Sequence, residues 1–66
     1  METQDAYRDA RWLSAITARQ VAALRREERP EGTDPTVWAI AQEETAARIV
    51  EGAVDAIRAL AREAWE

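Results

Sequence analysis

Any acid–base or nucleophilic chemistry in this chain would have to come from oxygen. The 66 residues include neither His nor Cys, which removes imidazole and thiolate ligands and the usual zinc and haem sites with them. What remains are carboxylates, Tyr7, Ser14 and the threonines. Glu43, Glu44, Glu51 and Asp55 form the one carboxylate cluster dense enough to suggest a hard cation such as Mg²⁺, which accepts all-oxygen ligands. At 100° per helical residue, however, Glu44, Glu51 and Asp55 share a polar face while Glu43 points to another side, so the four do not converge. The Glu-x-x-His pairs of di-iron bundles are missing, and the only glycines, Gly32 and Gly52, make no phosphate loop. The expectation is a non-enzymatic protein with no cofactor and no metal.

Arg and Trp are the other residues whose placement carries chemistry. All nine basic residues are Arg. With Ala the commonest residue, that bias fits a GC-rich genome, such as an actinobacterial host or a phage of one; the alternative is selection for the fork geometry of Arg on a binding surface. The formal charge of −4 is unevenly spread. Residues 1–29 carry six Arg against five carboxylates, whereas residues 36–66 carry three Arg against six. Within 8–26 there are five Arg and a single acid, Asp9. Arg8, Arg11, Arg19 and Arg26 therefore offer either a phosphate-binding stripe or a face complementary to an acidic protein. Net acidity and the lack of interleaved aromatics weigh against nucleic acid. Of the three tryptophans, Trp38 falls on an apolar face, while Trp12 and Trp65 lie at an edge and near the chain end. Edge tryptophans are favoured interface anchors, so both are candidate partner contacts.

The elements that position these residues are set by one break, Arg29-Pro30-Glu31-Gly32-Thr33-Asp34-Pro35. Helix one is predicted over about 4–28, with Thr3 as its N-cap. It ends where Pro30 disfavours helical geometry at Arg29 and Gly32 follows. Helix two is predicted over about 35–64, opened by Asp34 as N-cap and Pro35 at the first helical position. The turn is assigned to 29–34. On helix one, Ala6, Ala10, Leu13, Ile16, Thr17, Gln20, Val21 and Leu24 form one stripe. Helix two answers with Ala39, Gln42, Ala46, Ile49, Ala53, Ile57, Leu60 and Ala64, widened by Trp38, Val50, Val54 and Ala61. Gly52, inside helix two, reads equally as a tolerated weak point or as a close helix crossing.

The short connection predicts an all-α antiparallel hairpin spanning the whole chain as one domain. Paired outward from the turn, Trp38 lies near Glu27, Leu13 near Gly52 and Tyr7 near Arg58, with Trp65 near Met1. Each stripe spans close to half the circumference of its helix, more than one neighbour can cover. At about 25 cal/mol per Å², leaving several large side chains in water forfeits a few kcal/mol, most of the stability expected of so small a chain, so self-association into a homodimeric four-helix bundle is expected. Its seam would draw on Leu13, Ile16, Trp38, Ile49, Val50, Ile57 and Leu60. The rival occupant of that apolar flank is a different protein. No apolar run approaches the roughly 20 residues needed to span a bilayer, and Met1-Glu2-Thr3-Gln4-Asp5 lacks the basic and apolar parts of a secretion signal. A cytoplasmic protein away from membranes is expected. The functional expectation is a small regulator, inhibitor or adaptor, phage-encoded on the genomic reading, that binds a protein stoichiometrically; an RNA- or DNA-binding hairpin dimer using the Arg face of helix one is the alternative.

Overall fold

The connection between the helices is built by its own residues. The Thr33 N–H donates to the Pro30 carbonyl at 3.1 Å, which closes a four-residue turn. Gly32 is its third residue, with φ of +87°. That left-handed value is what a type II turn requires at this position, and glycine adopts it without a Cβ clash. The Arg29 guanidinium reaches across the turn to donate to the Thr33 carbonyl. Asp34 then caps the second helix. Its Oδ1 accepts from the Thr36 N–H at 2.8 Å and the Val37 N–H at 3.2 Å, while its carbonyl accepts the first helical bond, from Trp38 at 2.9 Å. Two of the otherwise unpaired amide donors of the first turn are thereby satisfied.

The computed structural model describes the backbone of residues 2–65 and the side chains of 4–64. Two helices account for most of it, α1 over Glu2–Arg26 and α2 over Pro35–Trp65, and among the described residues there is no strand. α2 begins where the Asp34-Pro35 signal placed it. α1 differs from expectation at both ends. It is already helical at Thr3, which therefore does not cap it. It also stops at Arg26, before the expected Glu28. The Leu24 carbonyl is satisfied from two sides at this end. This oxygen accepts from the Glu27 N–H at 3.2 Å, a tightened last turn, and from Gln42 Nε2 of α2 at 3.0 Å. A C-terminal carbonyl with no partner in its own helix is thus capped from the neighbouring one.

That same hydrogen bond fixes the register. Leu24 meets Gln42 near the turn, and Tyr7 and Ala10 share a groove with Ile57 and Ala61 near the open end, so the helices run antiparallel. The expected pairing put Ala23 opposite Gln42, and the carbonyl that Gln42 reaches is that of the next residue, Leu24. Facing residues are apolar or self-satisfied: Thr17 sits in the contact with its hydroxyl donating to the Leu13 carbonyl at 2.7 Å, which leaves no unpaired hydroxyl proton against α2.

The packing is thin. The Cα trace measures 52 × 16 × 9 Å with a radius of gyration of 15.7 Å, against about 11 Å for a compact domain of this length. Ala46 is the one core residue among the described residues, 8% exposed. Leu13, Ile16, Trp38, Ile49, Ile57 and Leu60 are all half-buried. The hairpin is a single layer of helices, whereas stable domains pack at least two layers around a core.

Candidate interaction surface

A one-layer hairpin has two broad faces and two edges, and side chains are distributed among them by the helical repeat. On the first face, two grooves meet at Ile57. The one nearer the open end, about 640 Å³, lies between Tyr7 and Ala10 of α1 and Leu60 and Ala61 of α2. The other, about 550 Å³, runs along Ser14, Ala18 and Val21 and is walled by Val50 and Val54. Arg25, at the turn end, is the only charged residue among the described residues lining either. The Ser14 hydroxyl donates to the Ala10 carbonyl at 2.9 Å, so this face also carries little unsatisfied polarity.

The second face is different in kind. Its groove, about 480 Å³, is lined by Trp12, Leu13, Ala56, Ala59 and Leu60, with the carboxylates Asp9 and Glu63 at its margins. Trp12 and Tyr7 are five residues apart on α1, about 140° around the helix, which puts them on opposite faces. Leu60 borders grooves on both, a direct consequence of a core one side chain thick. The flank of α1 with Trp12 and the flank of α2 with Val50, Val54, Ile57 and Ala61 therefore do not form one surface.

Exposure of large apolar side chains is the dominant property of both faces. Tyr7 is 67% exposed, Trp12 63%, Val50 46% and Val54 38%. Gly52 lies outside the helix contact, since a Cβ built on it would meet nothing within 4 Å. The close-crossing reading of this glycine therefore does not hold for α1 against α2. Ala39 and Gln20, placed in the stripes by periodicity, are exposed, whereas Thr45, Ala56 and Ala59 are half-buried. Val37 and Ile40, 60% and 54% exposed, make a further apolar spot in the first turns of α2. Sequence reasoning passed over it, although their spacing of three on a helix was the available signal.

The arginines of α1 are exposed along its outer side, but two are engaged. Arg8 pairs with Asp5 at 3.2 Å and Asp9 at 4.0 Å, and the Arg11 guanidinium sits 5.9 Å from the centroid of the Tyr7 ring. Arg19 and Arg26 are solvent-exposed and return to the same side of the helix as Arg8. The Trp65 side chain, expected to contact a partner, lies outside the described residues, as does its expected placement near Met1. On α2, Glu44 pairs with Arg48 at 4.0 Å, both side chains largely solvated. Pairs of this kind contribute little to stability.

Among the described residues no three carboxylates come together as a cation site. Activation of a hydroxyl needs a base within hydrogen-bond reach. The Ser14, Thr17 and Thr45 protons are instead given to carbonyls of their own helices, the last to Ala41 at 2.8 Å. No described helix is long and apolar enough to cross a membrane. No protein-family model matches the chain, and neither a curated protein nor a solved structure matches it.

Proposed function

We propose that this chain is a small protein–protein interaction module acting by stoichiometric binding, as a regulator, inhibitor or adaptor does, and that its working form is a homodimeric four-helix bundle. One observation carries the reading. The accessible surface is 5405 Å² for a 7.4 kDa chain, where folded monomers of that mass expose about 4,200 Å². The hairpin alone buries about half of its unfolded surface, short of the roughly 60% that chains of this size reach. The excess, about 1,200 Å², is larger than the ~800 Å² that each partner contributes to a standard interface. A second layer of helices removes it. Arg8, Arg11, Trp12, Arg19 and Arg26, left outward, would recognise the partner together with Trp65. Charge on such a rim sets encounter rate and selectivity, and an aromatic anchor supplies most of the affinity.

Sedimentation equilibrium over a wide concentration range, with far-UV circular dichroism on the same samples, tests this. A species of twice 7.4 kDa that stays helical on dilution supports the bundle. A fully helical monomer at every concentration refutes it.

A second reading has its own observation. Arg8, Arg19 and Arg26 stand in one exposed row on α1, a geometry suited to tracking phosphates. The carboxylates of Asp5 and Asp9 against Arg8 oppose it. Binding of RNA or DNA would weaken steeply with salt and fall when Arg8, Arg19 and Arg26 are replaced by Glu. Protein binding lost on Trp12→Ala, and indifferent to those charge changes, excludes it.

A further inference from the structure

We infer that the face carrying Tyr7, Ala10, Val21, Val50, Val54 and Ile57 is where a second copy of this chain seats, leaving the Trp12 face outward. The inference rests on the self-association reading and specifies which of two apolar faces is consumed by it. Area sets the demand: the ~1,200 Å² excess exceeds one partner's share of a standard interface, and the 9 Å thickness of the Cα slab leaves room for a full helical layer on either side.

Charge then decides between the faces. A two-fold interface is isologous, so each face meets its own copy. On the Trp12 face, Asp9 and Glu63 border the groove without a basic residue lining it, and self-pairing would gather carboxylates of one sign. On the other face the two joined grooves are lined by one charged residue among the described residues, Arg25, at the turn end, and the charges beside Val50 and Val54 at the α2 edge, Glu51, Asp55 and Arg58, are of both signs. Polar satisfaction points the same way. Ser14 and Thr17, two of the hydroxyls on that face, already donate to carbonyls of α1 at 2.9 and 2.7 Å, so covering these two strands no donor. Shape agrees as well. Ala10, Ser14, Ala18 and Ala53 are small, which lets helix axes approach to the short end of the 8–10 Å range. Tyr7 lies at the rim, where Arg11 covers its ring.

The test exploits the absence of cysteine from the natural chain. Single variants Val54→Cys, Val50→Cys and Trp12→Cys place a thiol on exposed positions of each face, where substitution disturbs little packing. Alkylation rates are measured on the full chain below and above the dissociation constant found by sedimentation, with circular dichroism confirming helix content. The expected result is at least tenfold slower alkylation at Val50→Cys and Val54→Cys on association, with Trp12→Cys unchanged. A charge variant provides a second arm: Val54→Arg should raise the dimer dissociation constant at least a hundredfold, and Trp12→Arg by less than threefold. Protection of Trp12→Cys, alone or equally with the others, overturns the assignment while leaving self-association standing. A monomer mass throughout removes the self-association reading itself.

Discussion

Replacing Gly52 by alanine should make the protein more stable, and the amount follows from its surroundings. Gly52 is inside α2, well removed from both ends, with negative φ and exposed to solvent. A Cβ added there meets no atom within 4 Å, so the substitution brings no steric cost. The gain is the difference in helix propensity, about 0.8–1.0 kcal/mol per chain, most of it lost freedom of the unfolded backbone. An unfolding entropy of about 2.1 cal/mol/K per residue gives about 0.14 kcal/mol/K for this length, so the melting temperature should rise by about 6–7 °C. In a dimer both quantities double and the shift is the same. Thermal unfolding followed by far-UV circular dichroism measures it, at one fixed chain concentration because association itself moves the midpoint. A melting temperature unchanged or lowered would refute the reasoning. If the fall came with weaker association, it would locate a helix packed against Gly52, on the Trp12 side of α2 rather than the Val54 side.

The turn and the register can be probed in the same way. Asp34→Ala removes the acceptor shared by the Thr36 and Val37 amides and should cost about 1 kcal/mol, read as a fall in melting temperature. Gly32→Ala forces a side chain into φ of +87° and should cost about 1–2 kcal/mol, although nothing crowds the position. Gln42→Ala strips the Leu24 carbonyl of its cross-helix donor, with an expected loss of about 1 kcal/mol in denaturant unfolding and faster amide exchange in the last turn of α1. The Glu27 amide still reaches that carbonyl, so a loss beyond about 3 kcal/mol would mean that Gln42 does more than cap it.

The turn and the start of α2 were legible because their signals are local. Pro30, Gly32, Asp34 and Pro35 each act within a few residues of where they stand, and each does in the structure what its chemistry requires. The helix contact was legible as a stripe, since Leu13, Thr17, Val21, Leu24, Trp38, Gln42, Ala46 and Ile49 are all buried or half-buried as periodicity implied. What periodicity could not supply was the sense in which two stripes turn relative to each other. Trp12 and Val54 are both flank residues on a helical wheel, yet they emerge on opposite faces because handedness enters only when the helices are paired in space. The end of α1 was misplaced for a similar reason. The Leu24 carbonyl near that end is capped by Gln42, eighteen residues away, which read in sequence as part of an apolar stripe. Gly52 and Ala39 looked like contact residues for want of knowing how far the stripe of α2 wraps.

In the proposed dimer, a layer one side chain thick ties folding to association. With Ala46 the one buried residue described, much of the apolar surface that would stabilise each hairpin still faces water, and covering it would supply free energy for ordering the backbone. Helix formation in α1 and α2 then depends on the same contacts that join two copies. A change at the internal register, such as Gln42→Ala, should weaken dimers although it touches no outer face, and a change on the Val54 face should lower helix content on dilution although it touches no internal contact. The two faces cannot be equivalent in this scheme. In the proposed dimer the Val54 face is consumed in reaching a stable fold. The face bearing Trp12 between Asp9 and Glu63 is what such a fold has left to offer another molecule.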